Sequence, residues 1–480
     1  MFATFTLVLN KCEGQSISFN KTYDKSIDGL FNVRTIDSGY YFVMNSGYPI
    51  FPLYTCFTLI DNYGNTIKQN NYGSDSEYII SVSVLSINDT LIAFGGYCYD
   101  DNYKKITLKV YFSNNYGDSI GFNKYIDPDS GDVYTSSLIL ISDGGILATG
   151  SYVDSTNQQS EIEIIKLDSS GNFLWKSVFG GIRYDAGFTS IETPDKGFLT
   201  LGWTRSFGFG NNSNRDMILV KWDSLGNKLW HRTYGSTNFD GGTGITATAD
   251  GNYLLAGYSG VPNNKTRCWI IKIDISGNVI WSHTYDDGSG ELWWAKERFD
   301  GTIVGVGSSK DNFINYDDGY IVKTDSLGIL QWDRMFNQNG NHSYFRDFDF
   351  TLDGGYICAG FAFTGASGNQ DAWLVKLDSL GCDSLGCAAY VGLFDPPIGK
   401  EEEILLFPNP AQDILQIKFD FPYAGALHWS LYTAEGKLIK QRPEYVMKNF
   451  SIHVADLNPG MYLLELKTDT GRTMKKFFKQ

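Results

Sequence analysis

The sequence predicts an all-β chain: a seven-bladed β-propeller followed by a small Ig-like β-sandwich. Three observations predict it. An apolar run, then Asp-x-x-Gly-Asn, then an apolar residue and Trp, recurs in full or degenerate form, with its turn glycine at positions 64, 117, 171, 226, 277, 328 and 381. Seven copies spaced 51 to 55 residues apart form a repeat array. The chain holds 52 glycines and 15% aromatic residues with only 19% charged ones, a composition of strands and glycine turns. After Gly381 the repeat stops, and a shorter alternating pattern without it fills the C-terminus.

The elements follow in chain order. Residues 1–13 open with the apolar run Met1–Leu9, which reads as the remnant of a signal peptide starting upstream. A buried strand is the other reading. Ile17 to Tyr23 matches the outer-strand pattern Ile280 to Tyr285, so an N-terminal strand is expected to complete the last blade and leave no open seam. Residues 14–387 are then the propeller. The motif is clearest where it ends at Trp175, Trp230, Trp281 and Trp332. Between its copies lies an Asp-Gly turn, as at Asp143-Gly144 and Asp250-Gly251, followed by a strand and a glycine. Each copy thus holds four short strands; in blade five they are expected at 242–248, 252–259, 267–274 and 278–285. Residues 388–403, with two prolines and a charge run, form a linker. Residues 404–480 show short alternating strands with turns at Gly436 and Asn458-Pro459-Gly460, a small sandwich pattern.

Net charge is −15. Residues 403–480 carry ten Lys/Arg against eight Asp/Glu, which leaves −17 on residues 1–402. Such a body disfavours nucleic acid and anionic membrane as partners. No other run approaches the ~20 apolar residues of a bilayer span. Most of the seven cysteines stand singly in strand-like runs as buried thiols. Cys382 and Cys387 bracket a loop and are a possible small disulfide.

The C-terminal unit resembles the type A sorting domain of the type IX secretion system of Bacteroidota. The matching residues are Phe407-Pro408-Asn409-Pro410-Ala411, Asp413-Ile414-Leu415, the Gly436-Lys437 turn, Asp456-Leu457, Gly460-Met461-Tyr462 and Lys475-Lys476-Phe477-Phe478-Lys479. The resemblance implies export by a signal peptide and then by that machinery. It also implies cleavage of the tail by a sorting protease, and a body anchored at the outer-membrane surface or released.

Common catalytic signatures are absent: Gly-x-Ser-x-Gly, P-loop, HExxH and GxGxxG. The five histidines are scattered. Three constellations remain. The loops joining one blade to the next share one face and carry Asp24, Asp75, Asp127, Asp129, Asp132, Asp185, Asp240, Asp286 and Asp287. Asp127, Asp129 and Asp132 have the alternate spacing that lets oxygens converge on calcium, the one cofactor the sequence admits. Asp capping its own turn is the competing reading. The inner strand of blade six carries Trp293, Trp294, Lys296 and Arg298, and blade seven adds Arg346 and Asp349. Aromatics beside charges at a central channel suit a sugar ring; packing is the competing reading. The Asp-x-x-Gly-Asn-x-x-Trp motif resembles the tryptophan motif of quinone-dependent dehydrogenase propellers, but its presence in nearly every blade points to structure. The expected function is a surface-displayed binding or adhesion module for a glycan or a surface protein. The alternatives are a polysaccharide lyase or hydrolase, with Glu297 and Asp349 as its acid/base pair, and a structural surface protein.

Overall fold

A computed structural model describes residues 18–383 and 404–480, apart from short stretches at 24–26, 37–38, 47–53, 74–77, 89, 100–104, 126–130, 155, 157–158, 210–213, 264, 287, 311–315, 339–340, 364–369, 420–424, 434–437, 447–448 and 469–470. The chain divides into two compact units, Met1–Ala389 and Tyr390–Gln480. The expected signal remnant and linker lie outside the described residues.

The first unit is seven four-stranded antiparallel sheets, six of them taken in sequence order from the axis outward. Blade five is Gly241–Ala247, Tyr253–Val261, Lys265–Ile273 and Val279–Tyr285. Blade six is Ser289–Glu297, Ile303–Lys310, Asp318–Thr324 and Leu330–Phe336. In blade seven the order is Ser343–Phe350, Tyr356–Phe363, Gln370–Leu377 and then Phe19–Tyr23. The N-terminal strand therefore closes the ring, pairing antiparallel from Phe19 opposite Lys376 to Tyr23 opposite Ala372. The meander places the turns after the first and third strands on one face, the hairpin face, and the turn after the second strand, with the loops that join blade to blade, on the other, the loop face.

The repeated motif builds both the turn and the seam. Asp168 Oδ1 accepts the amides of Ser170 and Asn172 at 2.9 and 2.8 Å, and its Oδ2 accepts the Asn172 side-chain amide at 2.9 Å. Asp223 and Asp274 repeat the clamp. The following glycine sits near φ +80°, where a side chain is strained. The motif tryptophan covers the next blade's turn. A Cβ on Gly226 would lie 2.8 Å from Trp175, and one on Gly328 2.9 Å from Trp281. The tyrosine that ends the outer strand also reaches forward: Tyr234 donates to the Gly277 carbonyl at 2.8 Å and Tyr285 to that of Gly328 at 2.9 Å. Tyr23 does the same to Gly64 across the closing seam.

In blades four, five and seven the lysine of the third strand is buried and answers the Asp of the first turn. Lys221 meets Asp195 at 2.8 Å, Lys272 meets Asp250 at 2.7 Å and Lys376 meets Asp353 at 2.8 Å. A charge taken out of water needs such a partner.

Every innermost strand carries a β-bulge. The extra residues are Val82, Ser136, Phe188, Thr243, Trp293 and Arg346 in blades two to seven. Blade one bulges twice, once between Leu30 and Asn32. A bulge re-aims one side chain and shifts the parity of those after it.

The second unit is a three-stranded sheet of Ile404–Phe407, Ile414–Phe419 and Asn449–His453, and a four-stranded sheet of Gly425–Thr433, Leu438–Val446, Gly460–Thr468 and Gly471–Lys479. They share a core of Leu415, Ile417, Trp429, Leu431, Ile452, Leu464, Leu466 and Phe477.

Candidate functional site

The parity shift decides where the blade-six aromatics go. Leu292 before the bulge and Ala295 after it both pack in the core with blade five. Trp294 packs in the core shared with blade seven. Trp293, the extra residue, is left at the axis. There its indole donates to Glu291 Oε1 at 2.9 Å, and its ring meets Phe188 of blade four edge-on at 6.2 Å. The Arg346 guanidinium lies over the Trp293 ring at 3.7 Å and near Phe361 at 5.2 Å. Two of the sequence-predicted residues, Trp293 and Arg346, thus meet in the loop-face half of the channel.

The others do not join them. Lys296 Nζ lies 3.3 Å from Asp347, a buried carboxylate that Arg34 of blade one holds at 2.7 Å from the other side. Asp349 accepts the Thr35 amide at 2.9 Å, and Arg298 donates to the Tyr356 hydroxyl at 3.3 Å, both toward the hairpin face. Glu297 accepts the Ala249 amide at 2.5 Å, as Glu192 accepts that of Ser142 at 2.7 Å. These carboxylates staple neighbouring blades.

Three of the described acidic-loop aspartates are occupied in the same way, while Asp286 is buried with neither oxygen well bonded. Asp132 accepts the Ile106 amide at 2.9 Å. Asp185 takes the Gly181 amide and Asp240 those of Ser236 and Gly260, each at 2.8 Å. Asp24, Asp75, Asp127, Asp129 and Asp287 lie outside the described residues. Among the described residues no three His, Cys, Asp or Glu form a metal-ligand group. A cavity of about 140 Å³ lies at the hairpin-face seam of blades seven and one, lined by Tyr40, Asp353 and Lys376. It is remote from the channel cluster.

Loop-face residues carry features that sequence reasoning missed. Arg215 lies 4.7 Å from the Trp203 ring and 4.0 Å from that of Phe239, which stacks on Tyr258. Arg205 lies 6.0 Å from the Tyr184 ring. Burial lowers the pKa of Arg215 and Arg346, and the nearby Glu291 carboxylate pulls each back up. Beside them Asp317 accepts the Tyr344 hydroxyl at 2.7 Å and lies 2.8 Å from His342 Nδ1. Arg205 and Arg215 stand in a loop outside the repeated motif, so periodicity carried no signal for them.

In the second unit the motif residues converge. Both peptide bonds before Pro408 and Pro410 are cis. Asn409 Oδ1 accepts the Phe478 amide at 2.8 Å, and the Ala411 amide donates to the Phe478 carbonyl at 2.7 Å. The Asp413 carbonyl accepts the Val454 amide at 2.8 Å. Tyr462 stacks on Phe477, with 5.7 Å between ring centroids, and donates to the Asn458 carbonyl at 2.8 Å. Lys475 is half-buried and Lys476 exposed in the final strand, which begins at Gly471, while Gly460 starts its partner. Gly436 lies outside the described residues. Cys382 is disulfide-bonded, and Cys387 lies outside the described residues.

The comparisons with known proteins divide along the same line. The chain is similar to solved propellers. The propeller domain of the trilobed protease from Pyrococcus furiosus shares 11% identity over 73% of this chain and 94% of that one, with a TM-score of 0.43. The Pan2 WD40 domain of Neurospora crassa shares 11% over 72% and 88%, with a TM-score of 0.43. The polysaccharide lyase Uly1 shares 12% over 77% and 94%, with a TM-score of 0.45. No curated protein matches the chain. No helix among the described residues is long and apolar enough to cross a membrane. The family of secretion system C-terminal sorting domains matches residues 405–480. Those residues are accordingly a sorting domain of the type IX secretion system, and the chain that carries them is an exported protein of the cell surface or the extracellular space.

Proposed function

We propose that the exported propeller is a non-enzymatic binding module for a glycan, and that it binds at the loop-face mouth of its channel. The observation that supports this reading is the Phe188–Trp293–Arg346 cluster, three bulge residues from blades four, six and seven. A half-buried indole beside a guanidinium offers a sugar both a flat apolar face and a hydrogen-bond donor. The enzyme reading needs a free acid/base pair. Its two candidates, Glu297 and Asp349, instead accept backbone amides of neighbouring blades. Removal of the tail by the sorting protease, and anchoring or release of the body, belong to the same proposal.

The test is a glycan and polysaccharide array probed with the full chain, with calcium and with a chelator. Saccharide binding that falls about tenfold or more in Trp293→Ala supports the module. Binding that vanishes with chelator would move the site to the loop carrying Asp127, Asp129 and Asp132. Shortened saccharide chains after incubation would favour the enzyme. No saccharide binding under either condition would leave a protein partner or a structural role.

A further inference from the structure

Positive charge gathers at the channel mouth of an acidic body. Arg205, Arg215 and Arg346 each lie over or beside aromatic rings. The Nε of each is shielded from water and has no hydrogen-bond partner among the described residues. Elsewhere in the unit several cations are paired, as Arg34 and Lys296 are on Asp347, and Lys376 on Asp353, while Arg334, over Trp332, shares a buried Nε without a partner. Among the described residues none of the three mouth arginines has a carboxylate at salt-bridge distance. The acids around them take hydrogen bonds from other groups: Asp216 from the Phe209 amide at 2.9 Å, Asp240 from Ser236 and Gly260, and Glu291 from the Trp293 indole.

A guanidinium is charged at any physiological pH, and its planar fork fits a planar two-oxygen anion. Asp216, Asp240 and Glu291 keep their charge, but held by these other donors they leave the three guanidinium forks open to a further anion. We infer that this mouth takes the carboxylate of an acidic saccharide, with Arg215 and Arg346 gripping the uronate and the half-buried faces of Trp203 and Trp293 packing on its ring. Trp203 and Trp293 are what favour a sugar over an acidic peptide, whose carboxylate side chains need no flat apolar wall. The inference rests on the binding-module reading and names its ligand class.

Calorimetry on the full chain tests it, with tetragalacturonate, the neutral galactose tetramer and a sulfated galactose tetramer as probes. The expected order is tetragalacturonate tightest, with affinity falling as salt rises. Arg346→Gln and Arg215→Gln should each weaken tetragalacturonate about tenfold or more, the loss of a charge-assisted hydrogen bond. Arg232→Gln, on an outer strand, should leave it unchanged. Thermal unfolding checks that each variant folds; if one arginine variant does not, the other carries the test. Equal affinity for the acidic and neutral tetramers, or full affinity in both arginine variants, would overturn the inference. Tighter binding of the sulfated tetramer would replace carboxylate by sulfate. Binding of the neutral tetramer that depends on Trp293 would sink the acidic ligand and uphold the module, whereas silence of every saccharide would sink both.

Discussion

Asp286 follows blade five's outer strand with φ +64°, and both its carboxyl oxygens are shielded from water with no well-formed hydrogen bond among the described residues. Burial pushes its carboxyl up to about 6, and its polar neighbours Cys268 and Ser309 offset this only in part. An unfolded Asp titrates near ~3.9. Between about pH 4 and 6 the folded protein therefore binds more protons than the unfolded chain, and stability falls as pH rises through that window. Asp286→Asn should flatten that slope in thermal unfolding and stabilise the protein at pH 7 by about 3 kcal/mol. A slope equal to wild type would show that Asp286 titrates normally. The opposite case lies at lower pH. Hydrogen bonds from Lys272 and Thr248 hold Asp250 below the usual carboxylate range. That contribution is present above about pH 4 and is lost below it. At this scale the sequence was only partly legible. Trp293 and Trp294 are adjacent and chemically alike, and strand alternation alone cannot say which faces the axis. One inserted residue between Leu292 and Trp294 decides it.

The turn glycines separate two costs that are usually confounded. Gly226 and Gly251 share a left-handed backbone, φ +84° and +81°. A Cβ on Gly251 would meet nothing within 4 Å, whereas one on Gly226 would lie 2.4 Å from Ser177 Oγ and 2.8 Å from Trp175. Gly251→Ala should cost about 1 to 2 kcal/mol, the price of the backbone conformation alone. Gly226→Ala should cost at least ~1 kcal/mol more, because the blade-three tryptophan must move. Denaturant unfolding of the pair reads the seam energy directly, and equal costs would mean that the tryptophan yields freely. Elements were the most legible level of the sequence. Blade five's strands lie within two residues of their expected bounds at every end, since glycine turns and apolar runs recur in each copy. The Lys–Asp pairs were written in the same repeats but went unread, because spacing alone does not say that a strand lysine and a turn aspartate meet.

For the whole molecule, the sorting domain separates delivery from activity. A chain ending before residue 404 should remain inside the bacterium that makes it, as immunoblots of cell and culture fractions would read. Its appearance at the surface in normal amount would mean that the propeller carries its own address. Seven repeats and the closing strand were legible as a ring because each blade lacks a partner alone, whereas Arg205 and Arg215 of the arginine cluster stand in a loop outside the repeated motif. The closing strand also sets a clock. The bond from Trp373 to Asn20 joins positions 353 residues apart. Drawing such distant segments together costs on the order of 5 kcal/mol of chain entropy, which is repaid only once the intervening blades have stacked. Zipping the seam is then the final event of maturation, and contact order of this kind makes it slow. Until it occurs the third strand of blade seven lacks its outer neighbour, an unpaired edge that should be open to proteases. Resistance to cleavage should arrive in one late step.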